Sequence, residues 1–174
     1  YHSFALKTDG TLWATGDNYD GELGIGDNTD RNSWTQVLSE VKTVAAGGAH
    51  SLALKTDETL WATGYNSAGE LGTDDNTSIS SWTQVLSGVK AVAAGYEHSL
   101  ALKTGGTLWA TGYNGYGNLG TGDNTGMSSW TQVLDGVIAV AAGGYHSLAL
   151  KTDGTLWATG YNGYGELGTD NNTD

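Results

Sequence analysis

Four histidines, His2, His50, His98 and His146, stand 48 residues apart. Imidazole is the commonest metal ligand and titrates near neutral pH. Four in one phase could line a channel, hold a metal or sense protons. The spacing also argues the other way. Catalysis needs unlike groups in unlike roles, whereas one residue repeated in register suits a buried imidazole hydrogen-bonded in every unit. Residues 115–120 and 163–168 fit G-x-G-x-x-G. That motif holds a pyrophosphate only at the N-terminus of a following helix, and no helical period follows. Asp74, Asp75 and Asn76 carry oxygens suited to Ca²⁺, but nothing matches the twelve-residue EF-hand spacing. Ca²⁺ is therefore the one cofactor the sequence leaves open, and no metal ligand is assigned. No nucleophile–base pair stands outside the repeat register. The expectation is a non-enzymatic protein with no catalytic residue.

The elements that position these groups follow from the repeat. Trp13, Trp61, Trp109 and Trp157 keep the period of 48, as do Trp34, Trp82 and Trp130. Residues 49–96 and 97–144 are identical at 36 of 48 positions, with no insertion or deletion. One period contains four short strand patterns: A at 89–95, B at 99–104, C at 107–111 and D at 130–134. Each is apolar or alternates over a few residues between Gly and Asn clusters. Four strands per period of this length make one propeller blade. The fold class is all-β, a β-propeller with about 3.6 blades in the chain. The units are 1–48, 49–96, 97–144 and an incomplete 145–174. Asp9-Gly10, Gly105-Gly106 and Asp153-Gly154 between strands B and C predict type I′ turns, where Glu58 of the second copy is strained. Both tryptophan series read as blade-packing residues.

In such a blade the A–B and C–D loops share one end. All nine tyrosines fall in or beside them. Tyr1, Tyr96 and Tyr145 belong to A–B loops. Tyr19, Tyr65, Tyr113, Tyr116, Tyr161 and Tyr164 belong to C–D loops, with the acids Glu22, Glu70 and Glu166. Twelve of the 19 acidic residues lie in C–D segments, Asp174 included. Lys7, Lys55, Lys103 and Lys151 stand beside the opposite turns. Exposed tyrosine offers rigid area with a polar tip, so this end is the candidate face for a protein or glycan ligand.

Residues 140–150 (VAAGGYHSLAL), with their counterparts at 44–54 and 92–102, resemble the signature of the regulator of chromosome condensation repeat. Its companion segment resembles residues 157–168 (WATGYNGYGELG). The resemblance covers essentially the whole chain. It implies a propeller, usually of seven blades, but it does not carry one function. Members of that family include a nucleotide-exchange factor for a small GTPase that docks on chromatin, a secreted inhibitor of β-lactamases, and bacterial surface modules. The last two favour an extracellular or cell-surface setting. The exchange factor works through an inserted wedge, and this chain has no insertion.

Composition narrows the partners. The net charge of −12 repels phosphate backbones and excludes nucleic acid as a partner. No apolar run approaches the length of a membrane span. With no Cys there is no disulfide framework or thiolate site. Glycine is 28 of 174 residues and proline is absent, in keeping with a strand-and-turn repeat. The chain begins at a strand B and ends before a strand D. The expectation is a segment of a longer ring, or a protomer whose open blade faces allow self-association. Three functions follow: a binding or scaffold module, a nucleotide-exchange factor, or a propeller-type enzyme inhibitor.

Overall fold

Leucine and alanine alternate with polar residues through His-Ser-Leu-Ala-Leu-Lys and Leu-Trp-Ala-Thr-Gly in every copy. That period of two gives each strand one face for each neighbouring blade. The computed structural model describes residues 1–173, so Asp174 lies outside the described residues. It contains fourteen strands in four antiparallel sheets. The first sheet is β1 (His2–Leu6), β2 (Leu12–Gly16) and β3 (Arg31–Leu38). The second is β4 (Val41–Ala46), β5 (His50–Lys55), β6 (Leu60–Gly64) and β7 (Ile79–Leu86). The third repeats it as β8 (Val89–Ala94), β9 (His98–Lys103), β10 (Leu108–Gly112) and β11 (Met127–Leu134). The fourth is β12 (Val137–Ala142), β13 (His146–Lys151) and β14 (Leu156–Gly160). Strand D starts three residues earlier than the Trp-centred pattern suggests. Gly112 pairs with Met127 across a register shift, and that bulge extends the strand.

β4 lies against β8, and β8 against β12, so the first strands of successive blades form the inner side. The core sits between blades. Leu52, Leu54, Leu60, Ala62 and Leu71 of the second blade meet Val89, Ala101 and Trp130 of the third. Burying each of these leucines contributes about 1.5–3 kcal/mol. Trp130 and Trp82 are 9 % exposed because each indole lies on a glycine of the preceding blade, Gly72 and Gly24. Trp34, with no preceding blade in this chain, is 49 % exposed, and Trp157 on the last sheet is 52 % exposed. An apolar slot of about 350 Å³, lined by Leu108, Leu119, Leu148 and Trp157, opens between the third and fourth sheets.

The B–C connections differ from the expected turn. Gly10 N–H donates to Lys7 C=O and Lys7 N–H to Thr11 C=O. Only the residue at Gly10, Glu58, Gly106 or Gly154 has positive φ. This is a type I turn closed by one left-handed residue, not a type I′ turn. The Asp9 carboxylate accepts from Thr11 N–H and Oγ1–H, which holds its own residue in the ordinary region. Glu58, at φ 66°, is the strained position that the sequence indicates.

Candidate functional site

The four histidines start their B strands. Ser51 Oγ donates to the Glu22 carbonyl at 2.7 Å and lies 2.8 Å from His2 Nε2. With its proton already used, the serine accepts from the imidazole. The ring is therefore the Nε2–H tautomer. Ser99 repeats this with Glu70 and His50, and Ser147 with Asn118 and His98. Each link ties two blades through one hydroxyl. The partner-free Nδ1 atoms of His2, His50 and His98 are buried. Gly47, Gly95 and Gly143 lie so close to the rings that a Cβ would stand 2.1–2.2 Å from an imidazole carbon. Burial pushes His2 and His98 down to about 4 and His50 to about 3. Among the described residues no three His, Cys, Asp or Glu side chains are placed to hold a metal.

The C–D loops are shaped by a buried asparagine in each copy. Asn66 Oδ1 accepts from Leu71 N–H, and its Nδ2 donates to the Asp75 and Thr77 carbonyls. Asn18, Asn114 and Asn162 repeat this arrangement. Threonines of the following blade, Thr63, Thr111 and Thr159, donate to the Gly21, Gly69 and Gly117 carbonyls. The loop acids take part in these turns. Asp75 accepts from Thr77 N–H at 3.0 Å and Asp123 from Thr125 N–H at 3.0 Å. The Asp74, Asp75 and Asn76 group is thus engaged with its own loop, with Asp74 bonded to Ser129 across the blade boundary.

Glu22 and Glu70 do not stand on the open face. They are 3 % and 0 % exposed. Their Oε2 atoms turn inward to accept from Asp20 N–H and Ala68 N–H. Glu166 accepts from Tyr164 N–H in the same way and stays half-buried on the last sheet. Glu70 Oε1 is buried without a partner. Burial first, then the charge of Glu97, pushes Glu70 up to about 7.

The tyrosines separate into two groups. Tyr96, Tyr145, Tyr116, Tyr161 and Tyr164 form a line of tilted and edge-to-face rings, with centroid steps of 5.6, 5.5, 5.1 and 6.2 Å. Tyr113 closes a triangle with Tyr116 and Tyr145 at 5.9 and 5.8 Å. Tyr65 stays apart and bonds Ser67, while Tyr19 stands alone at 78 % exposure. Tyr19 is in the phase of Ser67. The phase of Tyr116 and Tyr164 holds Asp20 and Ala68 in the earlier copies. At the other end, the Lys7, Lys55, Lys103 and Lys151 ammonium groups lie 3.8–5.4 Å from the Trp13, Trp61, Trp109 and Trp157 ring centres. Each of those indoles donates to the threonine two residues before it.

The sequence reading omitted the serines after each histidine, the four asparagines and Glu97. Repetition in every copy marks the asparagines and serines. Glu97 is marked only as a departure from the repeat, which holds Tyr1, Ala49 and Tyr145 at that phase.

No curated protein sequence matches this chain. Among solved structures, yeast RCC1 (Prp20) bound to Kap60 is similar at 23 % identity and a TM-score of 0.87. The match covers 99 % of this chain and 45 % of that one. Human WBSCR16 is similar at 25 % identity and 0.86, covering 99 % and 48 %. Prp20p from Saccharomyces cerevisiae, described with its binding properties to Gsp1p and histones, is similar at 23 % and 0.86, covering 99 % and 46 %. The chain thus spans less than half the length of these structures, and the likeness at such identities concerns the fold. Models of the regulator of chromosome condensation (RCC1) repeat match residues 9–54 and residues 41–70, 89–118 and 137–166. With the repeat matched over most of its length and its sheets arranged as propeller blades, the chain belongs to the RCC1 repeat family.

Proposed function

We propose that this chain is a non-enzymatic protein-binding module that engages its partner through the A–B and C–D loop face. The observation that carries the reading is the continuous tyrosine line over the third and fourth blades. Interlocked rings lose little side-chain freedom on binding and present area with polar tips, the properties of binding hot spots. The loops beneath are tied to adjacent blades, so the platform is pre-organised. Similar solved chains described with protein partners support a protein over a small molecule.

Selection of binders from a random peptide library on the immobilised chain tests this. Selected peptides are expected to lose most of their signal on the double variant Tyr116→Ala, Tyr164→Ala at unchanged thermal midpoint. Binders that keep their signal there and lose it on Lys103→Ala would move the face to the opposite end.

A further inference from the structure

Among the described residues of the tyrosine end, the basic side chain is Arg31, at the start of β3, paired with Asp27 at 2.7 Å. Four lysines lie over tryptophans at the other end. The tyrosine line therefore stands in a field of unneutralised acids.

The field has a focus where the repeat departs from itself. Position 97 is Glu, where the other copies have Tyr1, Ala49 and Tyr145. Its backbone carbonyl accepts from Tyr113 N–H, which places it at the root of the tyrosine triangle. Burial and then the charge of Glu97 push the Tyr145 hydroxyl up, so Glu97 is felt at the hub of the line. The charge of Glu97 also acts on Glu70, whose Oε1 is buried without a partner at the boundary between the second and third blades. Glu97 thus repels the Glu70 carboxyl on one side and acts on the Tyr145 hydroxyl on the other.

We infer that the Glu97–Tyr113–Tyr116–Tyr145 cluster is the docking point for an extended arginine-rich segment of a partner protein. The inference rests on the binding face proposed above and names its partner's chemistry. Guanidinium groups stack on tyrosine faces and pair with carboxylates. The line is no longer than roughly 22 Å, the reach of about six extended residues. A cation seated beside Glu97 relieves the repulsion on Glu70. Glu70 is neutral below about 7 and charged above it. The other titrating groups around it do not share that range. His50 and His98, on the strands that carry its serine link, titrate near 3 and 4, and Tyr145 titrates above its usual alkaline value. Binding therefore tightens as pH rises from 6 to 8.

The probe is a fluorescent peptide of alternating Gly and Arg, six to eight residues long, with its citrulline counterpart as the uncharged control. Anisotropy at low salt is expected to show binding of the arginine peptide only. Glu97→Gln and Tyr116→Ala should each weaken it about fivefold. Glu58→Gln removes the same charge at the opposite end and should change it less than twofold. Glu70→Gln, neutral like Asn118 at the same phase, should abolish the pH dependence. Equal losses from Glu97→Gln and Glu58→Gln would reduce the attraction to net charge and overturn the inference. No binding, or equal binding of the citrulline peptide, would also overturn it. Library peptides that map to the tyrosine line yet lack Arg and Lys would leave the face standing and refute the arginine-rich partner.

Discussion

The histidine links make the fold acid-labile with a slope that can be worked out. His2, His50 and His98 titrate near 4, 3 and 4 in the folded chain, against about 6.5 unfolded. A group whose folded pKa is lowered contributes stability above its unfolded value and loses it as pH falls towards the folded one. Between pH 6 and 5 these rings are neutral when folded and mostly charged when unfolded, so unfolding takes up about three protons. Glu70 has the opposite sign. Its raised pKa stabilises the fold at low pH, and that contribution is lost as pH rises through about 7. Unfolding releases its proton in the same interval, which leaves a net uptake of about two. The slope is then about 3 kcal/mol per pH unit, enough to remove an ordinary domain's stability within a few units. Urea titrations at half-unit steps, read by tryptophan fluorescence, measure it. His98→Gln should lower the slope by about 1.4 kcal/mol per unit, and Glu70→Gln should raise it by the same amount. A slope below about 1, or one that His98→Gln leaves unchanged, would refute the claim that these rings are buried neutral.

Other substitutions separate the interlocks between blades. Gly72→Ala places a Cβ 2.4 Å from the Trp130 indole at φ +67° and should cost at least about 3 kcal/mol. Gly168→Ala meets nothing within 4 Å and should cost only about 1 kcal/mol of backbone strain; thermal midpoints compare the two. Ser99→Ala leaves the Glu70 carbonyl and His50 Nε2 unpartnered in the core. It should cost about 2–4 kcal/mol in urea, whereas Ser3→Ala, on an exposed residue of the same phase, should cost under about 0.5 kcal/mol. Glu58→Gly relieves a left-handed glutamate where other copies have glycine. The expected gain is about 1 kcal/mol, or about 2–4 °C in the midpoint.

The blade was legible because its signals recur. A period of 48, alternating leucines and turn residues at one phase define strands, order and ends without reference to contacts between blades. Two features at that level were misread: the start of strand D, which a bulge extends to Met127, and the B–C turn. An Asp-Gly pair suggests φ > 0 at both positions, but the aspartate carboxylate caps the turn and leaves only the second residue left-handed. The loop acids were harder to read, because composition counts charges without showing where they point. Glu22, Glu70 and Glu166 share a phase with Asn118, and all four turn inward to bond backbone, the carboxylates accepting from the N–H two residues earlier and the amide donating to the Tyr113 carbonyl. That equivalence was visible in the repeat and argued against a surface role.

Departures from the repeat carry the complementary information. A residue found in every copy is under the same demand at every blade boundary: the His–Ser–carbonyl link, the buried Asn of each C–D loop, the threonine that anchors it. None of these can distinguish one sector of the face from another. Tyr116 and Tyr164, where the earlier copies hold Asp20 and Ala68, extend an aromatic surface that those copies cannot make. Glu97 places a carboxylate where its counterparts are Tyr1, Ala49 and Tyr145, and its charge acts on Glu70, whose Oε1 is buried without a partner. Stability needs neither change, since the first blade boundary closes with the same hydrogen bonds without them. Two independent departures on neighbouring loops of one face, which supply aromatic area and charge, are what a localised binding site requires. The substitutions that remove them should therefore alter recognition and leave the fold intact, whereas those at the repeated positions should do the reverse.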